Sequence, residues 1–178
     1  MSDDNPALDE RVARLRDAFD RSFAEARAPD PAAGEDLLAI RVGAEPYALR
    51  LSEIAGLFAA RKITPLPGSP PALLGIAGFR RTIVSVYDLA ALLGHVPEAA
   101  VRWLAMAADV PVAFALATVE GHLRVDSTAI VADESARREQ RHVGGFARSS
   151  GLVRAIVHLP SVVDAARRQA ITSIEPGR

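Results

Sequence analysis

A mainly β chain of two small barrels is predicted by three observations. About ten short apolar or β-branched runs are divided by Gly, Pro, Asp and Ser clusters, the spacing of short paired strands. Segments with helical period are few and stand near the ends or directly after a hairpin. A loose repeat also appears: a hairpin running into a helix occurs at Ile76 to Leu93 and again at Gly145 to Ala166.

The elements follow in order. Asn5-Pro6 is a helix start, a cap residue before proline at the first helical position. Leu8, Val12, Leu15, Phe19 and Phe23 then form one apolar stripe on a helix to about Arg27. Its other faces balance Asp and Glu against Arg, which favours packing on protein over lying on a membrane. Ala28 to Asp36 is a linker, so residues 1–36 are a helix with its tether, 37–170 the barrel domain and 171–178 a tail. Leu37 to Val42, a turn at Gly43-Ala44-Glu45, and Tyr47 to Leu51 make a first hairpin, with Ile54 to Ala59 a third strand.

Pro65, Pro67, Pro70 and Pro71 fix φ and remove donors, so Ile63 to Pro71 reads as an extended, turn-rich edge. Leu73 to Phe79 and Thr82 to Val86 form a tight hairpin with Arg80 and Arg81 at its tip. Asp88 is placed to cap a short helix, Leu89 to Leu93, which Gly94 ends. Trp103 to Ala108, Val112 to Ala117 and Val119 to Val125 are strands. Ala132 to His142 is polar and reads as a loop; Val143 to Ala147 and Leu152 to Leu159 form the last hairpin, and Ser161 to Gln169 a closing helix.

Composition sets outer bounds. The 178 residues are 49% hydrophobic and 24% charged, enough for a sizeable core. There is no cysteine, which excludes disulfides, thiol nucleophiles and thiolate metal sites and fits a reducing cytoplasm. MSDDNPALDE has no signal-peptide character, and no apolar run approaches the roughly 20 residues of a membrane span. A net charge of −1 offers no basic footprint for nucleic acid.

Catalytic signatures are missing. No Gly-x-Ser-x-Gly elbow, phosphate loop, H-E-x-x-H or dinucleotide fingerprint occurs. His95, His122, His142 and His158 stand singly, so neither a cofactor nor a metal is expected. A hydrolase assembled from scattered Ser, His and Asp is the remote alternative. Arg137, Arg138 and Arg141 read as a solvated loop cluster.

The stretch Gly75-Ile76-Ala77-Gly78-Phe79-Arg80-Arg81-Thr82-Ile83-Val84-Ser85-Val86-Tyr87-Asp88-Leu89, preceded by Pro67, resembles the CheW-like family in spacing and residue type. The opening LLAIRVGAEPYALRL and the later VAFALATVEGHLRV and GGFARSSGLVRAIVHLPSVV extend the likeness over about Leu37 to Ala166. Gly78 stands for the family's Asn, Arg81 for its hairpin Gly, Ser85 for its Pro, Ala117 for a frequent Asp and His158 for the Asp of a Leu-Asp pair.

This resemblance implies two SH3-like five-stranded β-barrels, intertwined on a shared core, with an N-terminal and a C-terminal helix. It implies a non-catalytic cytoplasmic adaptor, held at the inner membrane through receptor arrays. Its partners would be the cytoplasmic tip of a chemoreceptor, the regulatory domain of a CheA-type histidine kinase, and other CheW-like proteins. Ile63, Leu66, Phe79, Arg80, Arg81 and Val84 are the expected partner contacts, apolar groups accepting a helix face while arginine fixes orientation. The substituted motif points to a divergent paralogue serving one of the two usual partners. The competing interaction reading makes the N-terminal helix an oligomerising element with the barrels as support.

Overall fold

The computed structural model describes residues 34–79, 81–97, 100–132, 142–149 and 151–172. The expected N-terminal helix, Arg80 and the Arg137, Arg138 and Arg141 cluster lie outside the described residues. Strands β1 (Glu35–Val42) and β2 (Glu45–Arg50) lead through a 3-10 turn at Leu51–Glu53 to β3 (Ile54–Ala59). The hairpin β4 (Leu73–Phe79) and β5 (Thr82–Asp88) runs into helix α1 (Leu89–Leu93). Then come β6 (Trp103–Ala107), β7 (Val112–Leu116), β8 (Thr118–Val125), β9 (Ile130–Val131), β10 (Val143–Ser149), β11 (Leu152–Val157) and helix α2 (Leu159–Thr172).

Two sheets result, ordered β8-β1-β2-β11-β10-β9 and β3-β6-β7-β5-β4. The mainly β expectation of two intertwined lobes holds, with one addition. The first sheet gains a sixth strand because Ile130 and Val131 pair with Ala147 and Phe146. The last hairpin strand also stops at Val157, and Leu159 already belongs to α2.

The interlacing has a rule. Matching β1, β2, β3, β4, β5 and α1 with β6, β7, β8, β10, β11 and α2 converts one sheet order into the other. The first sheet therefore takes two strands from the first half of the chain and four from the second, and the second sheet takes three and two. The correspondence runs residue for residue, without a gap, from Gly75–Leu89 onto Gly145–Leu159. Both hairpins carry a bulge at their glycine, Gly75 at φ 139° and Gly145 at φ 152°, and both glycines sit against the backbone of an edge segment. Parallel pairs β5–β7 and β2–β11 occupy matching places.

Side-chain alternation then divides the core in three. On β7, Val112, Phe114 and Leu116 face a shared core with Leu38, Ile40, Leu49, Tyr87 and both helices. Ala113 and Ala115 point the other way, into a cluster with Phe79, Val84, Val86 and Leu104 that fills the second sheet's own interior. Leu37, Ala48, Val125, Ala147 and Ile156 do the same for the first sheet. Each sheet thus wraps its own small core and shares a larger one, as in packed barrels.

Arg154 occupies on β11 the place that Val84 has on β5. It is 9% exposed, and its guanidinium meets Glu120 at 2.6 Å. Arg41 donates to the other carboxylate oxygen of Glu120 at 2.9 Å. The Arg41 hydrogen bond first, and then Arg154, hold the Glu120 carboxyl below its ordinary range. A lowered carboxylate contributes stability that is full above its unfolded pKa of about 4.3 and is lost as pH falls through the lower folded value. Glu120 is exposed and solvent screens its pairs, so Glu120→Gln should lower stability at pH 7 by no more than about 1 kcal/mol, most of it from Arg154 left short of a partner. The deficit should shrink near pH 3. Urea unfolding at both pH values checks this, and an equal deficit at each would show that the ion pair is not responsible.

Candidate functional site

The segment from Ile63 to Gly94 forms one side of the second sheet. Its prolines allow a single ladder contact: Thr64 donates to the Ile76 carbonyl at 2.8 Å and Ile76 donates back at 2.9 Å. Turns follow at Pro67-Gly68 and Pro71-Ala72, and Ser69 Oγ donates to the Leu73 carbonyl at 3.3 Å. Asp88 is buried and its carboxylate accepts the Ala91 N–H at 3.1 Å, capping α1. Gly94 closes that helix in the left-handed region at φ 87°. Edge, cap and stop all match the sequence expectation.

The predicted contacts separate into two groups. Leu66 is exposed, Arg81 is exposed at the hairpin tip, and Ile63 is partly exposed on the second sheet's interior cluster. Phe79 and Val84 instead point inward, at 5% and 1% exposure. Strand alternation is the reason: Ala77, Phe79, Val84 and Val86 share one face, and that face is the interior. Phe79 and Val84 reach solvent only as the floor of a recess of about 590 Å³, walled by Phe58, Arg61, Thr82 and Met106. The Phe58 and Phe79 rings meet edge to face at 5.1 Å, and the Arg61 guanidinium lies 4.8 Å from the Phe79 centroid.

Ile83 was not among the expected contacts, although it is 68% exposed beside Arg81. The period-two pattern held the signal, since an inward Val84 requires an outward Ile83. Arg61 was missed for a different reason. Nothing in its neighbourhood in the sequence shows that two phenylalanines from β3 and β4 converge beneath it.

The substituted positions have local consequences. Ser85 keeps a backbone N–H that proline would lack, and donates it to the Pro111 carbonyl at 3.1 Å. Gly78 is exposed, and a Cβ there would meet nothing within 4 Å. Gly151, which corresponds to Arg81, takes φ 77°, whereas His142 is the one non-glycine residue at positive φ among the described residues. Arg81 therefore avoids the left-handed conformation, and the two hairpin tips differ in shape. His158 retains the cap function of the Asp it replaces: its Nδ1 accepts the Ser161 N–H at 3.3 Å.

A second recess, of about 250 Å³, lies where the β2–β3 link and the β6–β7 turn meet α2. Glu53, Asp109, Asp164 and Arg167 line it, and none of the predicted contacts does. Elsewhere, displaced pKa values have structural causes. Tyr47 is pushed up to about 12, by burial first and then by Glu45, to which it donates at 3.2 Å. Burial also raises Tyr87, against a smaller opposing effect of Arg167. Asp126 is lowered by the Thr128 side chain and backbone, which it caps. Among the described residues no three His, Asp or Glu side chains are grouped to hold a metal ion, and no helix is long and apolar enough to cross a membrane.

A family model and solved structures both match the chain. The family model described as CheW-like domain matches residues 36–167. Among solved structures, the scaffolding protein TtCheW from Thermoanaerobacter tengcongensis superposes with a TM-score of 0.63 at 18% identity, covering 70% of this chain and 88% of that one. At that identity the likeness concerns the fold alone. No curated protein matched the sequence.

Proposed function

The chain belongs to the CheW-like domain family, and from that premise we propose that it is a non-catalytic adaptor coupling the cytoplasmic tip of a chemoreceptor to the regulatory domain of a CheA-type histidine kinase. In this reading it is cytoplasmic and joins the membrane only through receptor arrays. The observation that carries the reading is the surface of the Ile63–Gly94 segment. The β4–β5 hairpin, joined to the capped helix α1 and to the Thr64 bridge, presents Arg81 and Ile83 to solvent, and the proline edge presents Leu66. An exposed arginine beside exposed apolar groups on a preformed edge is the composition of an interaction hot spot.

Two features favour the divergent, one-partner version. The hairpin tip departs from the left-handed turn that its own repeat uses at Gly151, and Arg81 adds a long cation there. Either change alters a docking surface while leaving the barrel beneath it intact.

The test is binding of the purified chain to a receptor tip and, separately, to a kinase regulatory domain. Ile83→Asp, on a surface that contributes nothing to the interior, is expected to weaken the retained partner about tenfold or more with unchanged unfolding behaviour. Arg80→Glu and Arg81→Glu should act in the same direction. Retention of both partners, each weakened by Arg80→Glu, would reject the one-partner version; binding of neither would reject the adaptor itself.

A further inference from the structure

We propose, on the adaptor reading above, that the recess floored by Phe79 and Val84 is a specificity pocket, selecting a partner helix that carries an apolar side chain between an acid and a base. Arg61 supplies one half of that selection. Its guanidinium lies over the Phe79 ring, 4.8 Å from the centroid, and 5.8 Å from the centroid of Phe58. It is exposed, and among the described residues it is the one arginine laid over aromatic rings. No ion pair or hydrogen bond joins it to another described residue. Stacking occupies the face of a guanidinium and leaves its N–H edges free for a carboxylate. The two rings hold the cation in place before a partner arrives, which lowers the ordering cost of binding.

Asp109 supplies the other half. The β3–β6 ladder runs along the recess from Ile54 opposite Ala107 to Ala59 opposite Trp103. Arg61 follows one end of that ladder and Asp109 the other, and both line the recess. Asp109 is exposed and likewise has no ion pair among the described residues. Opposite charges thus flank an apolar floor. An apolar centre with a polar rim is the pattern of a protein contact, whereas a small-molecule site gathers its polar groups inside. A helix crossing this floor satisfies both charges when its acid meets Arg61 and its base meets Asp109.

The internal repeat shows that the recess belongs to one half of the molecule. In the same residue correspondence, Ser149 stands where Phe79 does and Arg154 where Val84 does. Arg154 is buried and meets Glu120 at 2.6 Å, so an ion pair occupies the place that in the second sheet is an apolar floor. The pocket is therefore a feature of these side chains and does not follow from the fold alone.

Nuclear magnetic resonance titration of the full chain tests this with three helical peptides, each built around one central leucine. One carries glutamate a turn before the leucine and lysine a turn after it, one carries glutamine at both places, and one carries lysine at both. Movement of the Met106 methyl and Phe79 ring signals places binding in the recess. The mixed peptide is expected to bind about fivefold more tightly than the glutamine peptide, the upper end for exposed ion pairs. In Arg61→Glu the lysine peptide should become the tightest, because both rim charges are then acidic. Arg61→Gln and Asp109→Asn should each remove part of the preference with unchanged unfolding behaviour. Equal affinities for the three peptides, no binding at millimolar peptide, unmoved Met106 and Phe79 signals, or an unchanged order in Arg61→Glu would each overturn the proposal. These peptides contain no receptor or kinase sequence, so the two readings fail separately. Selection of the mixed peptide by a chain that binds neither a receptor tip nor a kinase regulatory domain would keep the pocket and reject the adaptor. Partner binding undiminished in Arg61→Glu, with no selection among the peptides, would reject the pocket and keep the adaptor.

Discussion

Phe114→Ala is expected to cost about 3–5 kcal/mol, a large part of the stability of a domain this size. The ring is fully buried on β7, which is hydrogen-bonded to β6 on one side and β5 on the other, so Ala105 and Tyr87 lie beside it. It faces the core that gathers residues from both sheets and both helices, where the walls cannot collapse without moving either sheet. A fall in Tm of about 10 °C should accompany the change. The comparison that isolates the mechanism is Val84→Ala. That side chain belongs to the interior of one sheet only and should cost visibly less, about 1–2 kcal/mol. If both variants lose the same small amount, in a transition that splits in two, the shared core does not unite the sheets and the barrels unfold separately.

The alternation of large and small residues along β7 carries this partition. Val-Ala-Phe-Ala-Leu reads at once as a buried strand, and its large side chains serve the shared core while its alanines serve the barrel interior. The strand was legible, but its two destinations were not, because they depend on partners drawn from both halves of the chain. The exchange of strands between sheets is hidden for the same reason: β2 and β11 are parallel neighbours with no local trace of it. Ile130–Val131 is too short to show a period, which is why the sixth strand escaped notice. Punctuation residues read better. Asp88, Gly94 and the prolines act through their own backbone chemistry, and each does locally what its type predicts.

The candidate surface is half legible in the sequence. Exposure of Leu66 and Arg81 follows from chain ends and turns, which sequence shows. Phe79 and Val84 are expected as groove-lining contacts through the likeness of their motif to the family's, and they line a recess from its floor. Alternation within the motif would have sent them inward and Ile83 outward. His158 shows the reverse case: it departs from the family pattern in residue type, yet it makes a capping bond through its ring nitrogen.

Gly75→Ala is expected to be the most damaging single methyl group that can be added to the candidate site. Gly75 holds φ 139°, and a Cβ there would collide with the Thr64 carbonyl oxygen. That oxygen accepts the Ile76 N–H, so relief of the clash must pull apart the two hydrogen bonds joining Thr64 to Ile76. Strain and lost bonds together should cost on the order of 3 kcal/mol. Gly78→Ala, three residues along the same strand and with open space at the added carbon, should change stability by no more than about 0.5 kcal/mol. Release of the bridge frees the proline segment, so, if Leu66 is part of the proposed docking surface, Gly75→Ala should also weaken partner binding where the barrel survives. Exchange of the Thr64 and Ile76 amides reports that release directly. Gly145→Ala supplies a control outside the site: its Cβ would come within 2.7 Å of the Val131 carbonyl and strain the equivalent bulge on the other sheet. If Gly145→Ala weakens binding as much as Gly75→Ala at equal loss of stability, global destabilisation accounts for both. If only Gly75→Ala does so, the proline edge is part of the docking surface, held in place because no side chain separates Gly75 from Thr64.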